Sequence, residues 1–139
     1  MCYATPQDAE DAYYDALEAG DASAMIAVWE SSDEIVCLLP MTPLALGPAV
    51  ARLWQSILQP GAGFEMQVRH LRWIECGDLA IHLVEECPAS EPGGQTPPAI
   101  HATNIFRRGP DGWRLMLHQN SPTPSPAPGV PSRARSLMA

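Results

Sequence analysis

Apolar positions recur at helical spacing through the first part of the chain and then switch to an extended, alternating pattern. Thr5-Pro6-Gln7-Asp8 supplies a capping hydroxyl, a proline at the first helical position and an acid in the first turn, which together mark a helix start. Ala9, Tyr13, Ala16 and Leu17 then recur at helical spacing, Asp8, Glu10, Asp11, Asp15 and Glu18 mostly fill the other side, and Gly20 is a natural stop. Asp21 can cap a second helix, with Met25, Ile26, Val28 and Trp29 as its stripe. Glu34–Leu39 reads as a short buried strand ended by Pro40, and Met41–Leu46 as a loop. Gly47-Pro48 opens a third helix on Val50, Leu53, Trp54, Ile57 and Leu58, closed by Pro60-Gly61-Ala62-Gly63.

From there the pattern predicts strands over Phe64–Cys76, Leu79–Cys87, Ala99–Arg108 and Trp113–Ser121. Gly77-Asp78 and Gly109-Pro110-Asp111-Gly112 are turn signals, and Pro88–Pro98 is a polar connection rich in proline and glycine. Helices followed by a meander of strands imply an α+β domain with helices packed on one face of an antiparallel sheet. That single domain is expected over residues 1–121. Residues 122–139 read as a proline-rich tail with little to bury, holding five of the chain's fifteen prolines.

The charge balance narrows the function. The eight basic residues are all arginines, and residues 1–120 carry six of them against sixteen acids, a net −10. Such a surface argues against nucleic acid or an anionic membrane as partner, because phosphate contacts need clustered cations. No apolar run approaches a membrane span, and MCYATPQDAED carries no export signal. Cys2, Cys37, Cys76 and Cys87 show no paired spacing, so free thiols in a cytoplasmic protein are expected.

Three stretches, AYYDALEAGDASAMIAVWESSDEIVCLLP at 12–40, LGPAVARLWQSIL at 46–58 and HATNIFRRGPDGWRLMLHQNSP at 101–122, resemble the nuclear transport factor 2-like superfamily. The last resembles the branch that contains the SnoaL-like proteins and the association domain of calcium/calmodulin-dependent kinase II. The resemblance implies a cone, a strongly curved sheet around helices in the order α-α-β-α-β-β-β-β, often paired as a homodimer through its outer sheet face. The superfamily includes isomerases, cyclases, dehydratases and oligomerisation modules, so the fold does not settle an activity. Measured against ketosteroid isomerase, Tyr13 matches the helix tyrosine, but Leu39 stands where the base would be and Asn104 where the second acid would be. Leucine takes no proton, so that mechanism is not expected. Where the association-domain branch carries two histidines, this chain has Leu117 and Gln119.

Matching strand alternation to that cone gives an expected pocket of Tyr13, Trp29, Leu39, Trp54, Ile81, Leu83, Glu85, Asn104, Phe106, Leu117 and Gln119. Its mostly apolar lining suits a compact, partly apolar small molecule. Tyr13 and Glu85 are the candidate acid–base groups, Glu85 because a carboxyl on an apolar wall is held in the range that proton transfer needs. Ala80, His82, Val84, Met116, His118 and Asn120 are placed on the outer face, as a dimer interface. His70, His82, His101 and His118 lie on separate strands with no local pairing, so no metal and no cofactor are expected. The functional expectation is a dimeric small-molecule-binding cone. An acid–base enzyme of isomerase, cyclase or dehydratase type and an oligomerisation module are the alternatives.

Overall fold

The computed structural model describes residues 2–89, 93–94 and 98–121. The expected tail at 122–139 lies outside the described residues. Helix α1 (Pro6–Ala19) starts as its sequence dictates, with the Thr5 side chain accepting from the Asp8 N–H at 3.0 Å. Gly20 closes it at φ +67° and hands the chain to Asp21, which caps α2 (Ala22–Val28). Strand β1 (Val36–Leu38) follows, then β2 (Ala45–Leu46), then α3 (Pro48–Ile57), whose Val50 and Trp54 are buried. The β2 residues fall in the segment expected to be a loop. They pair antiparallel with β1 across the turn at Pro40.

The remaining strands form the expected meander: β3 (Met66–Cys76), β4 (Leu79–Pro88), β5 (Ile100–Gly109) and β6 (Gly112–Asn120). The six-stranded sheet runs β2-β1-β6-β5-β4-β3, and β1 joins β6 in parallel, so the sheet is mixed and open. The class is α+β, as the element order implies. The core lies between the sheet and α1 to α3, where Tyr13, Met25, Val28, Val50, Trp54, Phe106 and Leu115 are fully buried. Arg107 on β5 clamps the end of α2, donating to both Glu30 oxygens at 2.7 and 2.8 Å.

Two one-residue irregularities re-aim the strands. On β3, His70 pairs Val84 while Arg72 pairs Leu83, which leaves Leu71 as an extra residue. On β6, Phe106 pairs Leu115 while Ile105 pairs Leu117, which leaves Met116 as the extra one. Each bulge exchanges the faces of everything beyond it.

The loop after α3 also closes on the first helix. Phe64 N–H donates to the Leu17 carbonyl at 3.0 Å, which brings Gly63 against α1 so tightly that a Cβ there would lie 2.0 Å from the Glu18 carbonyl oxygen. Gly63→Ala should therefore cost about 1–3 kcal/mol of stability as overpacking against backbone that cannot step aside. Gly109→Ala, where a Cβ meets nothing within 4 Å, should stay within about 0.5 kcal/mol of the parent. Urea midpoints of both variants check the pair, and equal values would contradict this packing.

Candidate functional site

Glu10 was expected on the solvated side of α1, yet only 1% of its surface is exposed. It stands one turn before Tyr13 and Tyr14, on the face that α1 turns to the sheet. Three donors converge on its carboxylate. His70 Nε2 of β3 lies 2.5 Å from Oε1, His82 Nδ1 of β4 lies 2.9 Å from Oε2, and the Asn104 side-chain amide of β5 donates to Oε2 at 3.1 Å. Burial pushes this carboxyl up, but the hydrogen bonds and charge from His82, with those from Asn104 and His70, outweigh it and hold Glu10 below the ordinary 4.5.

The network continues inward. The same Asn104 amide reaches the Tyr14 hydroxyl at 3.2 Å, and that hydroxyl donates to Glu86 Oε2 at 2.7 Å. Asn120 donates to Glu86 Oε1 at 2.9 Å and turns its oxygen to His118 Nε2 at 3.0 Å, while Asn104 Oδ1 faces His118 Nδ1 at 2.5 Å. Asn104 thus joins the Glu10 group to the His118–Glu86 group. Two amide oxygens suit a doubly protonated ring, but burial pushes His118 down and outweighs the upward pull of Glu86 and Asn120. Burial first, and then Glu86, push both Tyr13 and Tyr14 well above the ordinary tyrosine range, so both remain protonated and Tyr14 is a permanent donor. Tyr13 stacks on His118 at a centroid distance of 4.9 Å.

The structure gathers some of the expected pocket residues and separates others. Tyr13, Trp29, Trp54, Asn104 and Phe106 are buried inside, and Leu39 packs half-buried against them. Leu83, Glu85, Leu117 and Gln119, with Ile81, stand on the opposite, outer face. Their inward assignment is corrected by register. On β4, His82 pairs with the inward Asn104, so Ala80, His82, Val84 and Glu86 point in. On β6, the Met116 bulge turns His118 and Asn120 inward and Leu117 and Gln119 outward. The outer-face placement of Ala80, His82, Val84, His118 and Asn120 is overturned by the same pairings. Glu85, expected to act inside, instead pairs with Arg69 at 3.1 Å on the outer surface. Cys37 is buried, which pushes its thiol up to about 12 and removes it as a nucleophile.

One groove, of about 400 Å³, gives access to the network. It runs along the seam of α1 and β3, with Glu10, Tyr14 and His70 against Gln7, Asp11 and Asp15 on its polar side and Met66 and Val68 on its apolar side. His70 has 32% of its side chain exposed there while its Nε2 reaches the buried Glu10. A second groove, of about 300 Å³, lies between the end of α2 and α3 and includes Trp29, Ile35 and Val50. Its carboxylate, Glu30, is already taken by Arg107.

With this geometry in hand, comparison with known proteins identifies the family. The SnoaL-like domain family model matches residues 7–126, and the chain belongs to that family. A candidate calcium/calmodulin-dependent protein kinase type II association domain from Thiobacillus denitrificans is 38% identical, with a TM-score of 0.80 over 88% of this chain and 98% of that one. A candidate dehydratase of the NTF2-like family from Streptomyces avermitilis is 28% identical, with a TM-score of 0.70 over 84% and 92% of the two chains. An NTF2-like protein with a cystatin-like fold from Novosphingobium aromaticivorans, at 19% identity and a TM-score of 0.64 over 95% and 85% of the two chains, shares the fold. Comparison with curated proteins finds no match. No described helix is long and apolar enough to cross a membrane.

The two depressed groups set a pH dependence. Glu10 and His118 hold protons less tightly in the fold than in the unfolded chain, so the unfolded chain gains protons first as the pH falls. Stability should decline as the pH drops below the ordinary histidine value of 6.5, through His118, and again below the carboxylate value of 4.5, through Glu10. Urea unfolding from pH 7.5 to pH 4 measures this, and a midpoint that holds or rises on acidification contradicts the assignment.

Proposed function

We propose that this protein binds a compact small molecule in the α1–β3 groove and that the Glu10–His70 pair exchanges a proton with it. One observation carries the reading: a buried, ionised carboxylate with three donors stands directly behind a half-exposed histidine in a groove of small-molecule size. Perturbed, paired ionisable groups beside a groove are the usual physical mark of a working site. The carboxylate fixes the His70 ring through Nε2, which leaves Nδ1 as the ring nitrogen not engaged by Glu10. Asp11 and Asp15 favour a ligand that donates hydrogen bonds or carries positive charge, and Met66 and Val68 receive its apolar side. The likeness to a candidate dehydratase supports acid–base chemistry at such a pair.

A fragment screen by protein-observed NMR tests this. Fragments that shift the signals of Met66, Val68 and His70 in the parent should lose that effect in His70→Ala, whose partly exposed site leaves the fold intact. Fragments that bind both proteins alike, or that shift only residues near Trp29 and Val50, would refute the groove.

A second reading concerns assembly, and the outer face supports it. Ile74, Leu79, Ile81, Leu83, Ile105 and Leu117 stand there on neighbouring strands, and Ile74, Leu79 and Leu83 remain 46%, 38% and 37% exposed. An apolar sheet face of this kind is normally covered, and a second copy of the chain offers the complementary surface under two-fold symmetry. Leu83→Glu should convert a dimer to a monomer in light scattering at micromolar concentration. A parent that is already monomeric, or a variant of unchanged mass, would reject this interface. A larger ring would favour an assembly role like that named for the Thiobacillus relative.

A further inference from the structure

We propose that Glu10, His70 and His82 form a binding site for a divalent transition-metal ion of the zinc type. The sequence alone gives no sign of it, because the three residues come from one helix and two strands, sixty and seventy-two positions beyond Glu10. The fold brings them together: one ligand atom from each lies within 4.8 Å of the other two. Ligand bonds of about 2.0–2.2 Å fit between atoms this close after side-chain shifts below about an ångström.

The donor set itself selects the ion. Two imidazoles and one carboxylate suit zinc, cobalt, nickel or iron, whereas calcium and magnesium prefer all-oxygen cages. Both histidines lose only protons to make room, since each now points a ring nitrogen at Glu10 where an ion would stand. Part of the support a metal site needs is also present. Asn104 holds Glu10 Oε2, which leaves Oε1 to ligate, and such outer contacts orient metal ligands. Trp73 packs over the His82 ring at 4.1 Å and Phe106 lies beside it at 5.1 Å, giving the site an apolar wall.

The cluster is incompletely satisfied as it stands. His82 Nε2 and Gln7 Oε1 are buried with no hydrogen-bond partner among the described residues, and Gln7 Nε2 comes within 3.5 Å of Glu10 Oε1. Three protein ligands also leave a coordination position open, the arrangement of reactive rather than purely structural zinc sites. The groove is lined by two of the three ligands, Glu10 and His70, and Asp11 and Asp15 at its edge raise the local concentration of cations. The proposal stands on the ligand atoms and does not depend on the small-molecule reading.

The test uses the untagged full chain stripped with a chelator, with no organic ligand present. Cobalt is titrated and followed by visible absorption, and zinc by calorimetry. The expected result is one ion per chain with the ligand-field absorption of a four- or five-coordinate cobalt site. His70→Ala should weaken binding by at least the roughly 100-fold that loss of even a supporting residue can cost. His101→Ala, which removes the histidine near Glu85 on the outer face, should bind as the parent does. Glu10 is buried at the centre of the network, so His70→Ala, checked by an unchanged far-ultraviolet spectrum, is the deciding variant. No saturable binding, or binding that His70→Ala leaves intact, overturns the site and assigns any uptake to thiols or surface groups. Because metal and fragments are titrated separately, each reading can fail alone.

Discussion

A carboxylate buried on a helix and answered by three strands is the constraint around which this fold is arranged. An ionised group loses its hydration on burial, a cost that only paired charge and hydrogen bonds can offset. Glu10 meets that demand with one donor each from β3, β4 and β5. Those contacts fix the rotation of α1 about its own axis, because a turn of one residue would aim the carboxylate elsewhere and strand all three donors. They also fix the mutual register of the strands. A hydrophobic replacement of similar size would be no less stable in many proteins, so the buried pair specifies the arrangement of these elements more than it adds to their stability.

The two bulges make this gathering possible. Alternation without the extra Leu71 would put Arg72 on the face of His70. With it, Arg72 turns outward and Trp73 covers His82. Without the extra Met116, Leu117 and Gln119 would follow Leu115 inward. With it, His118 and Asn120 take those places and complete the chain from Asn104 to Glu86. The two extra residues thus decide that Trp73, His118 and Asn120 face the interior while Arg72, Leu117 and Gln119 face outward.

That division explains what could be read from the sequence. The helix starts at Thr5-Pro6 and Gly47-Pro48, the turn at Gly109–Gly112 and the strand periods depend on local chemistry, and the elements appear where those signals stand. The inward positions of Ala102, Asn104 and Phe106 on β5 follow from unbroken alternation. The site depends on register between strands, and a bulge leaves no local mark, so the inward set on β6 failed beyond Met116. On β4 the long connection between Pro88 and Ile100 leaves the register with β5 unspecified, and the pairing of His82 with Asn104 is visible only in the fold. Glu10 did have a signal, its position one turn before Tyr13 and Tyr14, but an acid among five in one helix reads as solvated.

The packing of the interior then locates where chemistry can happen. Tyr13, Met25, Trp54 and Phe106 fill the space between helices and sheet, each at most 2% exposed, so the centre of the domain is core. The polar network runs from that core toward one seam, and His70 is where it comes within reach of solvent. From the accessible His70 the hydrogen bonds lead to Glu10 and then through Asn104 to Tyr14 and His118. The buried half of the network orients the accessible half through these hydrogen bonds. The accessible end of the network therefore lies at the junction of the first helix and the edge strand, with the interior as its support.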